Sequence, residues 1–179
     1  GTLGVNKGGT GTTTSFTSGS VIFAGSGGTY SQNNSGLFWD NTNGRLGINT
    51  TSPASRLEVN GTIASTHLKG LGSAPSISAG SGAGSGATIS VSGTDTAGEI
   101  TLTTGALPSI SSSVLTLNFA NSYVSNPRVI FVPSNGLSAL LSGASMIYVS
   151  TTTNNFSFTA GATALTPLST YKWHYIVIE

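Results

Sequence analysis

Residues 87–105 read ATISVSGTDTAGEITLTTG. Apolar and polar residues alternate in two runs, with Ile89 and Val91 on one side of the first and Ile100 and Leu102 on one side of the second. A period of two sends successive side chains to opposite faces of an extended chain, so each run reads as a strand with one face toward a core. GTDTAG between them is made of residues that close turns, and Asp95 reads as a turn residue bonding the backbone. The stretch is a β-hairpin.

The pattern continues to the C-terminus. VLTLNF puts Leu115, Leu117 and Phe119 on one side. RVIFVP is a continuous apolar run, which predicts a strand covered on both faces. MIYVS and FSFTA are separated by TTTNN, a second hairpin turn. In the closing YKWHYIVIE, Tyr171, Trp173, Tyr175 and Val177 share one face, and Lys172, His174, Ile176 and Ile178 share the other. Apolar residues on both faces of this last strand predict a central position or a subunit contact. About seven strands at short, regular spacing indicate a sandwich or jelly-roll-like head over residues 88–179.

Upstream, the texture changes. Residues 71–87 contain SAPSISAGSGAGSGA, which reads either as a flexible Gly/Ser linker or as an ordered collar whose glycines allow close backbone approach. In residues 1–70 the apolar blocks are short: Val21-Ile22-Phe23, Leu37-Phe38-Trp39, Leu46-Gly47-Ile48 and Leu57-Glu58-Val59. Asn43-Gly44 marks a hairpin turn, Pro53 a rigid turn and Asn60-Gly61 another turn. Strands this short do not bury an apolar face unless another layer covers them. Three copies around one axis supply that layer, so this region is expected to form a trimeric β shaft. The fold class expected is all-β, a short-stranded shaft followed by a sandwich head.

Composition agrees with association. Only 6% of the 179 residues are charged and the net charge is +1, against roughly a quarter charged in an ordinary soluble domain. Self-repulsion of that size does little to keep strand edges apart, while 37% hydrophobic residues argue against disorder. No cysteine is present, so no disulfide framework or thiolate metal site is expected. No apolar run reaches the roughly 20 residues of a membrane-spanning helix, and membrane insertion is not expected. The six basic residues are scattered, which argues against nucleic-acid binding.

Catalytic chemistry finds little support. The acids are Asp40, Glu58, Asp95, Glu99 and Glu179, and no two are adjacent. Asp95 and Glu99 are near enough in sequence to meet across the hairpin turn, yet glycoside hydrolysis needs two facing carboxylates. His174 reads as a packed strand residue. His67 is either a solvated loop residue or a group stacked at a three-fold axis. No His/Cys cluster suggests a metal, and neither GGTG nor GSGAGSG is followed by the helix a phosphate loop requires. The chain is therefore read as non-enzymatic, without cofactor or metal. The polar-aromatic loops remain as binding candidates. They hold Tyr123, Asn126, Asn135, Asn154 and Asn155, and amide and aromatic side chains together suit sugar recognition, although each residue also has a simple role in closing a turn.

Several strings resemble one family. GVNKGGTGTTT, FTSGSVIFAGSGG and LFWDNTNGRLGINTTSPASRLEVNG resemble segments of tail fibres and related appendages of tailed bacteriophages. GTDTAGEITLTTG, FANSYVSNPRVIFVPSN and YKWHYIVIE resemble a C-terminal tip domain of the same proteins. The resemblance implies a homotrimeric fibre on the virion, joined to other virion proteins at its N-terminal side. Its head would contact a host cell-surface glycan or protein. It transfers no binding residues, and the autocleaving chaperone segment common in that family has no visible counterpart. The readings that compete are a purely structural decoration or connector without ligand and a glycan-degrading tailspike, the last disfavoured by the scattered acids.

Overall fold

The computed structural model describes residues 2–142 and 146–179. Gly143, which ends the predicted loop PSNGLSALLSG, lies outside them. The chain divides into two compact units, Gly1–His67 and Leu68–Glu179.

The first unit contains two small sheets. Strands β1 (Phe23–Ala24) and β2 (Tyr30–Ser31) form an antiparallel pair. Strands β3 (Leu37–Asp40), β4 (Arg45–Ile48) and β5 (Leu57–Val59) form a three-stranded sheet in which β3 and β4 are antiparallel and β4 and β5 parallel. The predicted Asn43-Gly44 turn joins β3 to β4. Gly44 has φ 63°, a conformation glycine adopts without a Cβ penalty, and Asp40 accepts from the amides of Thr42 and Asn43. Among the described residues of this unit, only Gly47 and Pro53 are buried.

Among the described residues, the second unit has eight strands in two antiparallel four-stranded sheets. One has the order β10 (Arg128–Pro133), β13 (Thr170–Ile178), β8 (Ala97–Thr103), β7 (Thr88–Gly93). The other has the order β11 (Tyr148–Thr151), β12 (Asn155–Thr159), β9 (Ser113–Asn118), β6 (Ser76–Ala79). The first-quoted hairpin is β7–β8, with Ile89 opposite Leu102 and Val91 opposite Ile100. One turn of α-helix, α1 (Gly136–Ala139), follows β10.

The two inner faces share one core. Tyr171, Trp173, Tyr175 and Val177 of β13 are buried together with Ile100 and Leu102, and the facing sheet contributes Leu115, Leu117, Phe156 and Phe158. Rings interlock across the gap: Phe158 lies 4.7 Å from Phe131 and 5.6 Å from Trp173, and Phe156 lies 5.6 Å from Tyr175, centroid to centroid. Each such side chain, fully buried, contributes roughly 1.5–3 kcal/mol. The architecture is thus an all-β, sandwich-like fold.

Two expectations are revised. The run RVIFVP is not covered on both faces. It forms edge strand β10, which turns Val129 and Phe131 inward and leaves Ile130 and Val132 about half exposed. Strand β13 is central in its sheet, but only one of its faces is buried, and Ile176 and Ile178 stand open on the other beside Ile130. Within the Gly/Ser stretch, Ser76–Ala79 is a strand paired with β9, with Ile77 opposite Leu117. The glycines after it do permit close approach, but within the chain: a Cβ on Gly80 would stand 2.2 Å from the Ser113 carbonyl oxygen.

Candidate functional site

Eight antiparallel strands give the sandwich two ends. At one end lie the chain entry (68–75), the β7–β8 turn (94–96), the loop 119–127, the β11–β12 turn (152–154) and Glu179. At the other lie the segments 80–87, 104–112 and 160–169 and the described residues of 134–147. The entry is fixed by Gly70, where a Cβ would meet Thr94 and Thr96 within 2.7 Å.

Four of the five predicted binding residues sit at the entry end. The loop 119–127 is fastened along its length. The Asp95 carboxylate accepts from the amides of Ala120 (2.8 Å) and Asn121 (2.9 Å). The Tyr123 amide donates to the Thr153 carbonyl at 2.8 Å. The Glu179 carboxylate accepts from the Ser125 amide and, at 3.1 Å, from its hydroxyl. Tyr123 is half-buried, packs edge-on against Phe119 (4.8 Å) and donates its hydroxyl to the Asp95 carbonyl at 3.3 Å. Burial first, then the negative charges of Asp95 and Glu179, push its pKa up, so the phenol stays neutral. Asn154 accepts from the Ser122 hydroxyl at 2.6 Å, and its carbonyl accepts from Phe119. Asn155 opens β12 opposite Asn118. Asn126 is exposed.

Asn135 lies at the opposite end, separated along β13 by roughly 20 Å at ~3.3 Å per residue. It caps α1: its side-chain oxygen accepts from the Ser138 amide and hydroxyl and from the Lys172 amide, while its Nδ2 donates to the Thr170 carbonyl at 2.8 Å. That amide is occupied by its own chain. The five residues therefore do not form one surface.

The end that holds Asn135 differs in character. Its four segments contain no charged residue, and they expose Leu107, Ile110, Leu140, Met146 and Leu168. Leu107 and Leu168 hold φ values of 54° and 51°, the left-handed region a leucine rarely adopts. Their loops are braced from below by buried Thr104, whose hydroxyl donates to the Thr166 carbonyl (2.6 Å) and accepts from the Ser169 amide (2.9 Å). A search for polar groups passes over these leucines. An X-Pro step at Leu107-Pro108 and at Thr166-Pro167 is the available signal for stiff, outward loops.

The acids serve separate partners. Glu99 pairs with Lys172 (3.3 Å) and His174 (3.2 Å) and accepts from Ser134 on the open face of β8 and β13. The Lys172 hydrogen bond leads the causes that hold its pKa below the usual carboxylate value. Asp95 is committed to the loop 119–127 instead. Among the described residues no group of three or more His, Asp or Glu is placed to hold a metal, and no helix is long and apolar enough to cross a membrane.

Comparison of the chain with protein-family models, with curated proteins and with solved structures gave no match.

Proposed function

We propose that the chain is a non-enzymatic homotrimeric fibre of a bacteriophage virion, whose N-terminal unit is the shaft and whose sandwich contacts a host-surface receptor. Other virion proteins would join it at the N-terminal side. One observation carries the trimer: residues 2–67 bury no side chain larger than that of Pro53, while Leu3, Val5, Ile22, Phe23, Tyr30, Trp39, Ile48, Leu57 and Ile63 are exposed. A unit so arranged has no core of its own, and identical neighbours supply one. The resemblance of the N-terminal strings to phage fibre segments supports the virion assignment.

For the receptor contact, the end of the sandwich opposite residues 68–75 is the better surface, because its loops expose large apolar side chains and carry no charge. Leu107 is 88% and Leu168 78% exposed in loops without charge. Strained, outward leucines suit an uncharged apolar patch of a surface protein better than a glycan. The full chain, fluorescently labelled, is expected to bind cells of some strain in a bacterial panel, and Leu107→Asp with Leu168→Asp is expected to abolish that binding. Undiminished binding by the double variant would overturn the receptor assignment. A second reading, a virion connector without ligand, is favoured by the internal engagement of Asn135, Tyr123 and Asn154, and binding to no strain in the panel would select it.

A further inference from the structure

The chain contains three Asn-Gly steps, at Asn43-Gly44, Asn60-Gly61 and Asn135-Gly136. Such a step carries its own chemistry. The amide nitrogen of the glycine can attack the side-chain carbonyl carbon of the asparagine, because glycine has no Cβ to crowd the approach and its backbone turns freely. The attack needs an asparagine side chain free to swing and a glycine amide that no acceptor holds. Each hydrogen bond to either group must first be broken.

The fold separates the three steps. At Asn43, the Gly44 amide donates to the Asp40 carbonyl at 2.8 Å, and the side-chain Nδ2 donates to the Asp40 carboxylate at 2.7 Å. At Asn135, the side-chain oxygen accepts from Ser138 and from the Lys172 amide, and Nδ2 donates to the Thr170 carbonyl. Asn60 differs. It is exposed just after β5, and among the described residues no hydrogen bond engages its side chain or the Gly61 amide. A Cβ on Gly61 would meet nothing within 4 Å, so the approach is open. Only the Asn60 backbone is tied: its amide donates to the Ile48 carbonyl at 3.0 Å, and its carbonyl accepts from Asn49 Nδ2 at 3.0 Å. The backbone of the attacked residue is thus held while both reacting groups stay loose.

We propose that Asn60 is a site of spontaneous deamidation in the folded chain. The Gly61 amide nitrogen gives its proton to a solvent base and bonds to Asn60 Cγ. The bond from Cγ to Nδ2 breaks, and ammonia leaves with a proton taken from water. The product is a five-membered succinimide, which water then opens at either carbonyl. Cleavage between Cγ and the Gly61 nitrogen gives aspartate with the main chain unaltered. Cleavage between the main-chain carbonyl carbon and that nitrogen gives isoaspartate, whose chain runs through Cβ and Cγ and is one carbon longer. Water enters, ammonia leaves, and nothing is oxidised or reduced. Either product sets a carboxylate at the end of β5. Six basic and five acidic residues become six and six, so the net charge of +1 is lost and none remains to oppose association. In isoaspartate, the oxygen that accepts from Asn49 belongs to the new carboxylate, which turns a neutral hydrogen bond into a charge-assisted one.

The unaltered full chain serves for the test. It is incubated folded in mildly alkaline buffer, and a second sample is incubated unfolded in urea. Both are digested with trypsin and read by mass spectrometry. The three steps fall on separate tryptic peptides, 8–45, 57–69 and 129–172, and fragmentation assigns the converted residue. In the folded sample, peptide 57–69 is expected to pass into two chromatographically separate forms of equal mass, each with NH₂ replaced by OH. This conversion should outpace that at Asn43 and Asn135 by about tenfold or more, since each of those steps must first break at least two hydrogen bonds. In urea the three rates should converge. Conversion at Asn43 or Asn135 as fast as at Asn60 in the folded sample would overturn the proposal, and so would an unchanged peptide 57–69. A lead for Asn60 that persists undiminished in urea would show that the fold does not select it, and would overturn the proposal as well.

Discussion

Replacing Asp95 by Ala should release the loop 119–127 without unfolding the sandwich. The carboxylate accepts two backbone amides, from Ala120 at 2.8 Å and Asn121 at 2.9 Å. A hydrogen bond to a charged acceptor contributes about 1.5–3 kcal/mol, and partial solvation of Asp95 puts the pair at about 2 kcal/mol in total. The other ties remain: Phe119 amide and Ser122 hydroxyl to Asn154, Tyr123 hydroxyl to the residue-95 carbonyl, Tyr123 amide to Thr153, and Ser125 to Glu179. Amide exchange at Ala120 and Asn121 should therefore quicken about thirtyfold, while amides of β9 and β13 change little. Asp95→Asn should lie between, because it keeps one acceptor and turns an NH₂ toward the other donor. Exchange is read by mass spectrometry on peptides from 119–127 and from 170–178. Unchanged exchange in the loop, or an equal quickening in β13, would refute the assignment of Asp95 as a local clasp.

Other expectations follow from the core and its charges. Phe158→Ala removes a fully buried ring touching Phe131, Phe156 and Trp173 and should cost about 3–5 kcal/mol, read as a lower denaturation midpoint at unchanged slope. Burial, helped by the Asp95 charge, pushes the Tyr175 phenol up to about 12 from 10.0, so the neutral form belongs to the fold. Its contribution, about 2–3 kcal/mol, is complete below pH 10 and is lost as pH rises toward 12. Thermal midpoints across that range should fall in step with phenolate absorbance, and Tyr175→Phe should flatten the fall. Glu99 has the opposite sign. Its lowered pKa stabilises the fold above the ordinary carboxylate range and is lost as pH falls below it, so Glu99→Gln should reduce the acid sensitivity of the midpoint.

The strands of the sandwich are legible in the sequence where apolar residues keep a strict period of two, as in β7 and β8. Strand β10 misleads because Val129, Ile130, Phe131 and Val132 are apolar at both parities, and nothing within the run says which face meets the core. Strand β6 carries Ile77 as its only large apolar residue, so its composition speaks for a linker. The pairing of Ile77 with Leu117 makes it a strand, and that contact lies 40 positions along the chain. The parallel pairing of β4 with β5 is likewise non-local. At the candidate site, the turn chemistry of Asp95 points to backbone amides nearby, but the amides it holds are 25 and 26 residues away. Asn135 is legible in a different sense: Asn followed three residues later by Ser138 is a helix-capping pattern, and it explains why that amide faces inward.

The claim that copies of the chain complete the interior of residues 2–67 is tested most directly by the molar mass of the intact protein in dilute solution. Light scattering should return three times the single-chain mass of 17.9 kDa. A value equal to that of one chain, with the amides of β3–β5 still slow to exchange, would mean that the short sheet stands alone and that the account is wrong.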